Sequence, residues 1–477
     1  MVGLLTEDPE HTNHRSTLRK KVGLLSETAP KLARVLKLPH LVLFGLAYLV
    51  PTTILTVYGV ATAMSHGRLP TAVLVALVAM LFTAYSYGRL SRVYTSTGSA
   101  YVYAQKSLGP RTGFMVGWTM MLDYLFLPLI NYITIGLYLN AQFPAVPDWV
   151  WIVGFLVVIT TLNVRGIALV AKANTVIVGA QVAFLLLFFA MSARHLVGMT
   201  DIHPLAPFVG SGLEILPVLS AAAILTESFL GFDAVTTLSE EAEDPKRDIP
   251  RAILLVTLCG GLIFLAASWF GHMVFPDYTR FTDVDSAALD IMRTVGGDAL
   301  AALLTLALII GSFGSALSSQ ASVSRVLYAM GRDGSLPRNV FGRLSKRYNT
   351  PAFNILIVGG VAIGAIFLDI ETVASFISFG ALVAFSAVNL SVIIHFVVRE
   401  RMRAGADLFK YGLVPGIGLS LTVYLWTNLS GLAFIIGGVW AALGLIQLAY
   451  VTRGFRQAPP QMTFDEKALE ERATSAA

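Results

Sequence analysis

The chain has 477 residues, of which 55% are hydrophobic and only 13% charged. Soluble domains carry about 25% charged residues, so this composition argues against a soluble enzyme with several polar-surfaced domains. A single cysteine, Cys259, excludes intrachain disulfides, a CxxC redox pair and a cysteine-rich zinc site. The mean hydropathy of +0.71 instead indicates a protein that crosses a membrane several times.

Runs without Asp, Glu, Lys or Arg indicate where the chain crosses the bilayer. About 20 apolar residues make one crossing, and runs of that length can only be helical in lipid. The predicted spans are residues 38–67, 69–88, 112–143, 149–164, 173–193, 215–238, 252–276, 299–324, 348–368, 372–398 and two within 411–452. The third and sixth spans qualify only if acids are allowed inside them. The sequence therefore predicts an all-α polytopic membrane protein with twelve transmembrane helices.

The basic residues predict the orientation of these spans. Of the 34 Lys and Arg residues, 30 precede the first span or lie in the connections and tail on that same side. The other side has only Arg68, Arg194, Arg280 and Arg293. The positive-inside rule then places both termini in the cytoplasm, with the chain in the cell (inner or plasma) membrane. Topology accounts for the net charge of +5, so the lipid bilayer and not a nucleic acid is the predicted partner.

Two spans carry residues that interrupt a helix at membrane depth. In the first, Pro51 removes a helical hydrogen bond, and Thr52 and Thr53 can satisfy the freed backbone or hold a polar ligand. In the sixth, Gly231 lies between two carboxylates. An ordinary proline kink is an alternative for the first span taken alone. The matched pair of interrupted helices instead points to a transporter site built on an inverted repeat.

The matched breaks also divide the chain. Each broken helix begins a five-helix repeat, the first at residues 38–210 and the second at 211–400, and two further helices follow within 401–455. Residues 1–37 lack the short apolar core of a removable signal peptide and are predicted to be a cytoplasmic arm. Residues 456–477 are predicted to be a polar cytoplasmic tail.

Three acids lie inside the predicted spans. An ionised carboxylate at a helix centre costs roughly 2.5–3.5 kcal/mol, and no Lys or Arg lies inside a predicted span to neutralise it. Glu227 is therefore predicted to take up a proton or a cationic substrate, the alternative being a protonated carboxyl bonded to a backbone carbonyl. Asp233 can cap or orient the resumed helix, or serve the site. Asp123 either forms a hydrogen bond that packs two helices together or belongs to the site.

Other chemistry is not indicated by the sequence. The eight histidines are scattered without metal-ligand spacing. The glycine-containing segments 98–106 and 331–334 both lack the Walker arrangement of glycines and lysine. No metal, enzymatic activity or ATP-driven step is therefore predicted.

Seven segments together resemble a known family. They are GLAYL at 45–49 with Pro51, GSAYVYAQKS at 98–107, GFMVGW at 113–118, LDYLFLP at 122–128, SFLGFDAVTTLSEE at 228–241, MGRD at 330–333 and FGALVAF at 379–385. From about residue 37 to 455 the chain resembles the amino acid–polyamine–organocation transporters, and most closely the bacterial putrescine importers.

The resemblance implies a LeuT-like fold, with a five-plus-five inverted repeat and two further C-terminal helices. It implies alternating-access import of a small cationic amine, putrescine or a similar polyamine, driven by the proton gradient without a bound cofactor. The alternative is an amino-acid permease of the same fold, whose substrate would present a carboxylate to a helix N-terminus at a break. The oligomeric state is left open.

The resemblance also implies a site between the breaks of helices 1 and 6, with helices 3, 8 and 10 contributing. The predicted substrate-binding residues are Pro51, Thr52, Thr53, Thr56, Asp123, Tyr124, Glu227, Phe229, Gly231, Phe232 and Asp233. The chain departs from the putrescine importers at two of these positions. Thr56 stands where they have an aspartate, and Glu227 stands where they have an apolar aromatic residue. The exact amine is therefore left open.

One further departure concerns coupling. Gln181 occupies the helix 5 position where several proton-coupled relatives have a lysine. Glu227 is therefore the predicted proton carrier, because its ionisation in the membrane is unfavourable.

Overall fold

The computed structural model describes residues 32, 34–197, 203–209 and 214–459. Within these ranges the α-helices are α1 Leu38–Leu49, α2 Tyr58–Met64, α3 Leu69–Val93, α4 Ser99–Ser107, α5 Pro110–Gln142, α6 Asp148–Arg165, α7 Ile167–Leu196, α8 Ile215–Leu225, α9 Pro245–Val274, α10 Ala287–Asp333, α11 Arg338–Phe341, α12 Ala352–Ala362, α13 Ile370–Val392, α14 Gly405–Leu408, α15 Val414–Trp426 and α16 Gly431–Val451. The predicted arm, apart from its last residues, and nearly all of the predicted tail lie outside the described residues.

Short segments of other helical types join or extend these helices. The 3₁₀ segments are Thr53–Leu55, Thr226–Phe229, Ala234–Leu238, Tyr278–Arg280 and Ile363–Ile366, and the π segments are Ile393–Arg399 and Phe409–Leu413. In the described ranges the sole β-type contact is an isolated bridge between Leu36 and Ala242.

The prediction of an all-helical, multi-pass membrane protein is confirmed. Eleven helical segments of the described chain are long and apolar enough to cross a membrane, and each coincides with a predicted span. The remaining predicted span, at 348–368, corresponds to a shorter apolar helical stretch, Ala352–Ile366.

Several helices extend beyond the charge-free runs that predict them. α9 begins at Pro245, because Asp244 accepts a hydrogen bond from the backbone N–H of Arg247 and proline suits the first helical turn. α10 continues to Asp333, nine residues past the predicted span end, and Gly297, with φ of +65°, bends it near its start. The charged residues at the ends of α9 and α10 therefore belong to these helices, although they lie outside the charge-free runs used for the prediction.

Both predicted breaks are present. α1 ends at Leu49, Val50 has φ of +59°, and the 3₁₀ turn Thr53–Leu55 leads into α2. In the sixth span α8 gives way to Thr226–Phe229, and helical structure resumes at Ala234–Leu238.

Buried amides and hydroxyls tie α10 to its neighbours. The Asn131 amide donates to Ser315 at 3.0 Å, and the Asn174 amide donates to Ser318 at 2.9 Å. Such interhelical bonds satisfy polar groups that the surrounding lipid cannot. α10 therefore lies at the centre of the bundle, in contact with α5 and α7.

Ion pairs lie at the end of the bundle that is predicted to face the cytoplasm. The Arg325 guanidinium donates through two nitrogens to the Glu241 carboxylate, and both side chains are almost fully buried. The Glu241 carbonyl accepts from the backbone N–H groups of Val35 and Leu36, at 3.0 Å each. Arg325 lies one residue past the predicted span 299–324, in the part of α10 that extends beyond the charge-free run. Arg325 continues α10 because its charge is neutralised locally.

Candidate functional site

The two breaks pack directly against each other. Gly231 has φ of +129°, and a Cβ atom there would lie 2.9 Å from the Leu49 backbone nitrogen and 2.9 Å from a Tyr48 ring carbon. Only glycine combines this backbone conformation with so close an approach. Gly231 therefore determines how the sixth span meets the first.

Gly231→Ala should lower stability by about 1–3 kcal/mol, because a left-handed backbone strains any L side chain. We expect a lower Tm in detergent and weaker transport in proteoliposomes. Gly179→Ala in α7 is the matched control, since a Cβ there meets nothing within 4 Å. Equal stability of Gly231→Ala and the wild type would contradict this role of Gly231.

Asp233 is held by hydrogen bonds across the break. It is buried, accepts from the Tyr124 hydroxyl at 2.8 Å and accepts from the Gly231 backbone N–H at 3.2 Å. Its side chain does not cap the following 3₁₀ turn. Of the structural alternatives, Asp233 therefore orients the backbone of the break and does not cap it. Its predicted contact with substrate stays a prediction.

Asp123 is as deeply buried as Asp233. The residue is 1% exposed, and its Oδ1 atom has no hydrogen-bond partner among the described residues. α5 and α13 approach so closely here that a Cβ on Gly380 would lie 2.4 Å from the Asp123 backbone nitrogen. The packing of these two helices thus depends on Gly380, and Asp123 Oδ1 is left unpaired.

Glu227 borders a cavity. This cavity measures about 60 Å³ and lies between the end of α8, the middle of α13 and the end of α15. Glu227 is exposed within it, and the Ser378 hydroxyl donates to its carboxylate. In the described residues its partner is this hydroxyl, whereas the sequence-based alternative was a backbone carbonyl.

The rest of the cavity wall is mainly apolar. Besides Glu227 and Ser378, the polar side chains are those of Thr226 and Asn428, and no Lys, Arg or His of the described chain lines the cavity. The Thr226 hydroxyl donates to the Ala223 carbonyl at 2.6 Å, within its own helix. The site thus offers a cation one carboxylate, one hydroxyl and one amide.

The aromatic residues of the second break point to two different roles. The Phe229 ring is buried and meets Phe264 of α9 edge-on at 5.3 Å. The Phe232 ring stacks on Phe385 at 5.5 Å, and Phe385 itself lines the cavity. Phe232 therefore supports the cavity wall, whereas Phe229 packs against α9.

The first break lies apart from this cavity. Thr52 is buried and donates to the Gln181 side-chain oxygen of α7 at 3.2 Å, and Gln181 Nε2 has no partner among the described residues. Thr56 is exposed and donates to the Thr53 carbonyl at 2.6 Å. Pro51 is buried at the break. The structure thus brings Asp233 and Tyr124 together, while the four predicted residues of the first break do not line the cavity.

Three cavity residues have no sequence signal of their own. Ser378 and Phe385 flank or end a motif that marks the family, but nothing local distinguishes them from neighbouring serines and aromatics. Asn428 lies in the turn between α15 and α16, outside the two predicted repeats.

Comparison with known proteins agrees with this architecture. The low-affinity putrescine importer PlaP of Escherichia coli (strain K12) is 42% identical over 435 residues, covering 90% of this chain and 96% of PlaP. The methylthioribose transporter of Bacillus subtilis is 27% identical, over 87% of this chain and 92% of that protein. The branched-chain amino acid permease BcaP of the same species is 26% identical, over 90% and 96%.

These relatives are all transporters by name. The amino acid permease family model matches residues 40–455, which include both breaks and all of the predicted spans except the first two residues of span 38–67. The chain therefore belongs to the amino acid permease family, within the amino acid–polyamine–organocation superfamily.

Proposed function

We propose that this chain is a secondary-active importer of a small cationic amine, putrescine or a similar polyamine. It works by alternating access in the cell membrane, with both termini in the cytoplasm and the proton gradient as the driving force. The identity of 42% to a putrescine importer, over nearly the whole of both chains, supports the substrate class.

The observation that carries the proposal is Glu227 in its cavity. A carboxylate in the membrane needs a proton or a cation, and the described residues that line the cavity include no basic side chain. A primary ammonium group supplies the missing charge and three hydrogen-bond donors. The apolar wall, with Leu230, Leu382 and Phe385, suits the methylene chain of an alkylamine.

The Ser378 hydroxyl supports Glu227 as the proton carrier. This hydroxyl contacts both Glu227 and the Ala374 carbonyl, the latter at 2.8 Å. A hydroxyl has one hydrogen to donate. It serves Glu227 when the carboxylate is ionised, and it serves Ala374 when a protonated Glu227 donates to the serine oxygen. Both protonation states of Glu227 are thus accommodated without moving the helices.

Uptake of labelled putrescine into proteoliposomes, with and without an inward proton gradient, tests the proposal. We expect accumulation that requires the gradient and is blocked by unlabelled diamines. Gradient-independent accumulation would overturn the proton coupling. Absence of putrescine uptake by folded, inserted protein would overturn the substrate.

The second candidate is an amino-acid permease of the same fold, which the likeness to BcaP favours. The same assay separates the two candidates. Competition by neutral amino acids, with none by diamines, would favour the permease. The carboxylate of Glu227 argues against it, because a substrate carboxylate in the same cavity would be repelled.

A further inference from the structure

The cavity extends to a helix that the two breaks do not involve. Leu425 at the end of α15, and Asn428 and Leu429 in the turn that follows, line it together with Glu227. α15 follows both predicted five-helix repeats. The position of the cavity therefore gives the end of α15 direct access to whatever binds Glu227.

Asn428 is the polar group that the turn after α15 contributes. The residue is exposed, and its amide nitrogen donates to the Tyr424 carbonyl at 3.0 Å, one turn earlier. The amide nitrogen also donates to the Thr427 hydroxyl at 3.4 Å, so it is used within the helix end and the amide oxygen remains as an acceptor. An acceptor suits a cation and not an anion.

The opposite wall is fixed by aromatic packing. Phe385 stacks on Phe232 of the second break and meets Tyr87 of α3 edge-on at 6.2 Å. Contacts on two sides hold its ring in place, so this wall is preformed. The cavity volume of about 60 Å³ exceeds the roughly 10–15 Å³ that one water molecule needs, so the cavity has room for an ammonium head group.

We propose that this cavity is a receiving subsite for one alkylammonium group, in which Asn428 Oδ1, Ser378 and the Glu227 carboxylate bind the same head group. Three acceptors then match the three N–H donors of the ammonium group. Asn428 is thereby a specificity-determining residue outside the two repeats. This inference rests on the proposed import of a cationic amine.

Opposite charges at position 428 test the subsite. Asn428→Lys places a cation beside the substrate's ammonium group, so we expect the KM for putrescine to rise about tenfold or more. Asn428→Asp adds an attractive charge and should lower the KM. Gly431→Ala is the control, because Gly431 is exposed just after the same turn, does not line the cavity, and a Cβ there meets nothing within 4 Å. A KM unchanged in both charge variants would overturn the subsite.

Thiol protection gives a readout that does not depend on transport. Cys259 is the sole cysteine of the chain, so Cys259→Ala combined with Asn428→Cys presents one thiol at the cavity. We expect putrescine and other diamines to slow its alkylation, with no effect on a thiol placed by Gly431→Cys. Protection by neutral amino acids alone would support the location of the subsite and overturn the amine. If an amine that the wild type transports does not change the rate of alkylation, the subsite is overturned, whereas the proposed import of a cationic amine still stands.

Discussion

We expect Glu227→Gln to abolish gradient-driven putrescine uptake while the protein still folds and inserts. The change keeps the size and one oxygen of the side chain but removes the charge that faces the cavity. With the substrate bound, Glu227 and the ammonium group form a hydrogen-bonded charge pair shielded from water, and loss of one partner of such a pair costs about 2–5 kcal/mol. Uptake at low substrate concentration should therefore fall at least about thirtyfold.

The control for Glu227→Gln is Glu371→Gln. Glu371 is exposed in the first turn of α13, the helix that also carries Ser378, and it does not line the cavity. We expect this variant to match the wild type. Uptake by Glu227→Gln at wild-type rates would remove both proposed roles of Glu227. If Glu227→Gln loses gradient-driven accumulation but still exchanges putrescine across the membrane, Glu227 acts in proton coupling alone.

The spans and the breaks could be predicted because each has a local cause. A charge-free run is visible in the sequence wherever lipid surrounds a helix. Pro51 and Gly231 interrupt helices by their own covalent structure, so the positions of the breaks follow from residue type. Helix ends were less predictable, since α9 and α10 continue into charged residues that are capped or paired.

The directions of side chains at the breaks could not be predicted. A residue in a regular α-helix faces a direction set by the 3.6-residue period, but the residues of the breaks lie in turns and short 3₁₀ segments that do not keep this period. Thr52 thus bonds to Gln181 of α7, a contact formed across 129 positions of sequence. Phe229 meets α9, although it lies only two residues from Gly231.

The composition of the cavity depends on tertiary packing. Ser378 of α13 reaches Glu227 of the sixth span across 151 positions of sequence. Asn428 comes from the turn after a helix that follows both repeats. Ser378 adjoins a motif that marks the family, but no local pattern distinguishes either residue as part of a site. The carboxylate itself was predictable, because an acid in an apolar run is costly and therefore conspicuous.

The second large effect is expected at the buried ion pair. Arg325→Met should lower the free energy of unfolding by about 3–5 kcal/mol, because it leaves the buried Glu241 carboxylate without its counter-charge. The Arg325 and Glu241 side chains are 2% and 3% exposed, so water cannot replace the lost partner. Thermal unfolding in detergent measures the change, and fluorescence-detected size exclusion shows whether the variant is monodisperse.

The double variant Arg325→Met with Glu241→Leu separates charge from packing. Replacing both members of a buried pair by apolar residues is often neutral or stabilising, so we expect the double variant to regain most of the lost stability. Arg332→Met is the comparison, since its pair with Glu240 is 26% and 19% exposed and its loss should cost less. If Arg325→Met were as stable as the wild type, the pair would not hold α10 to the chain that follows the sixth span. Recovery in the double variant would show that the unpaired charge of Glu241, and not lost packing, destabilises Arg325→Met.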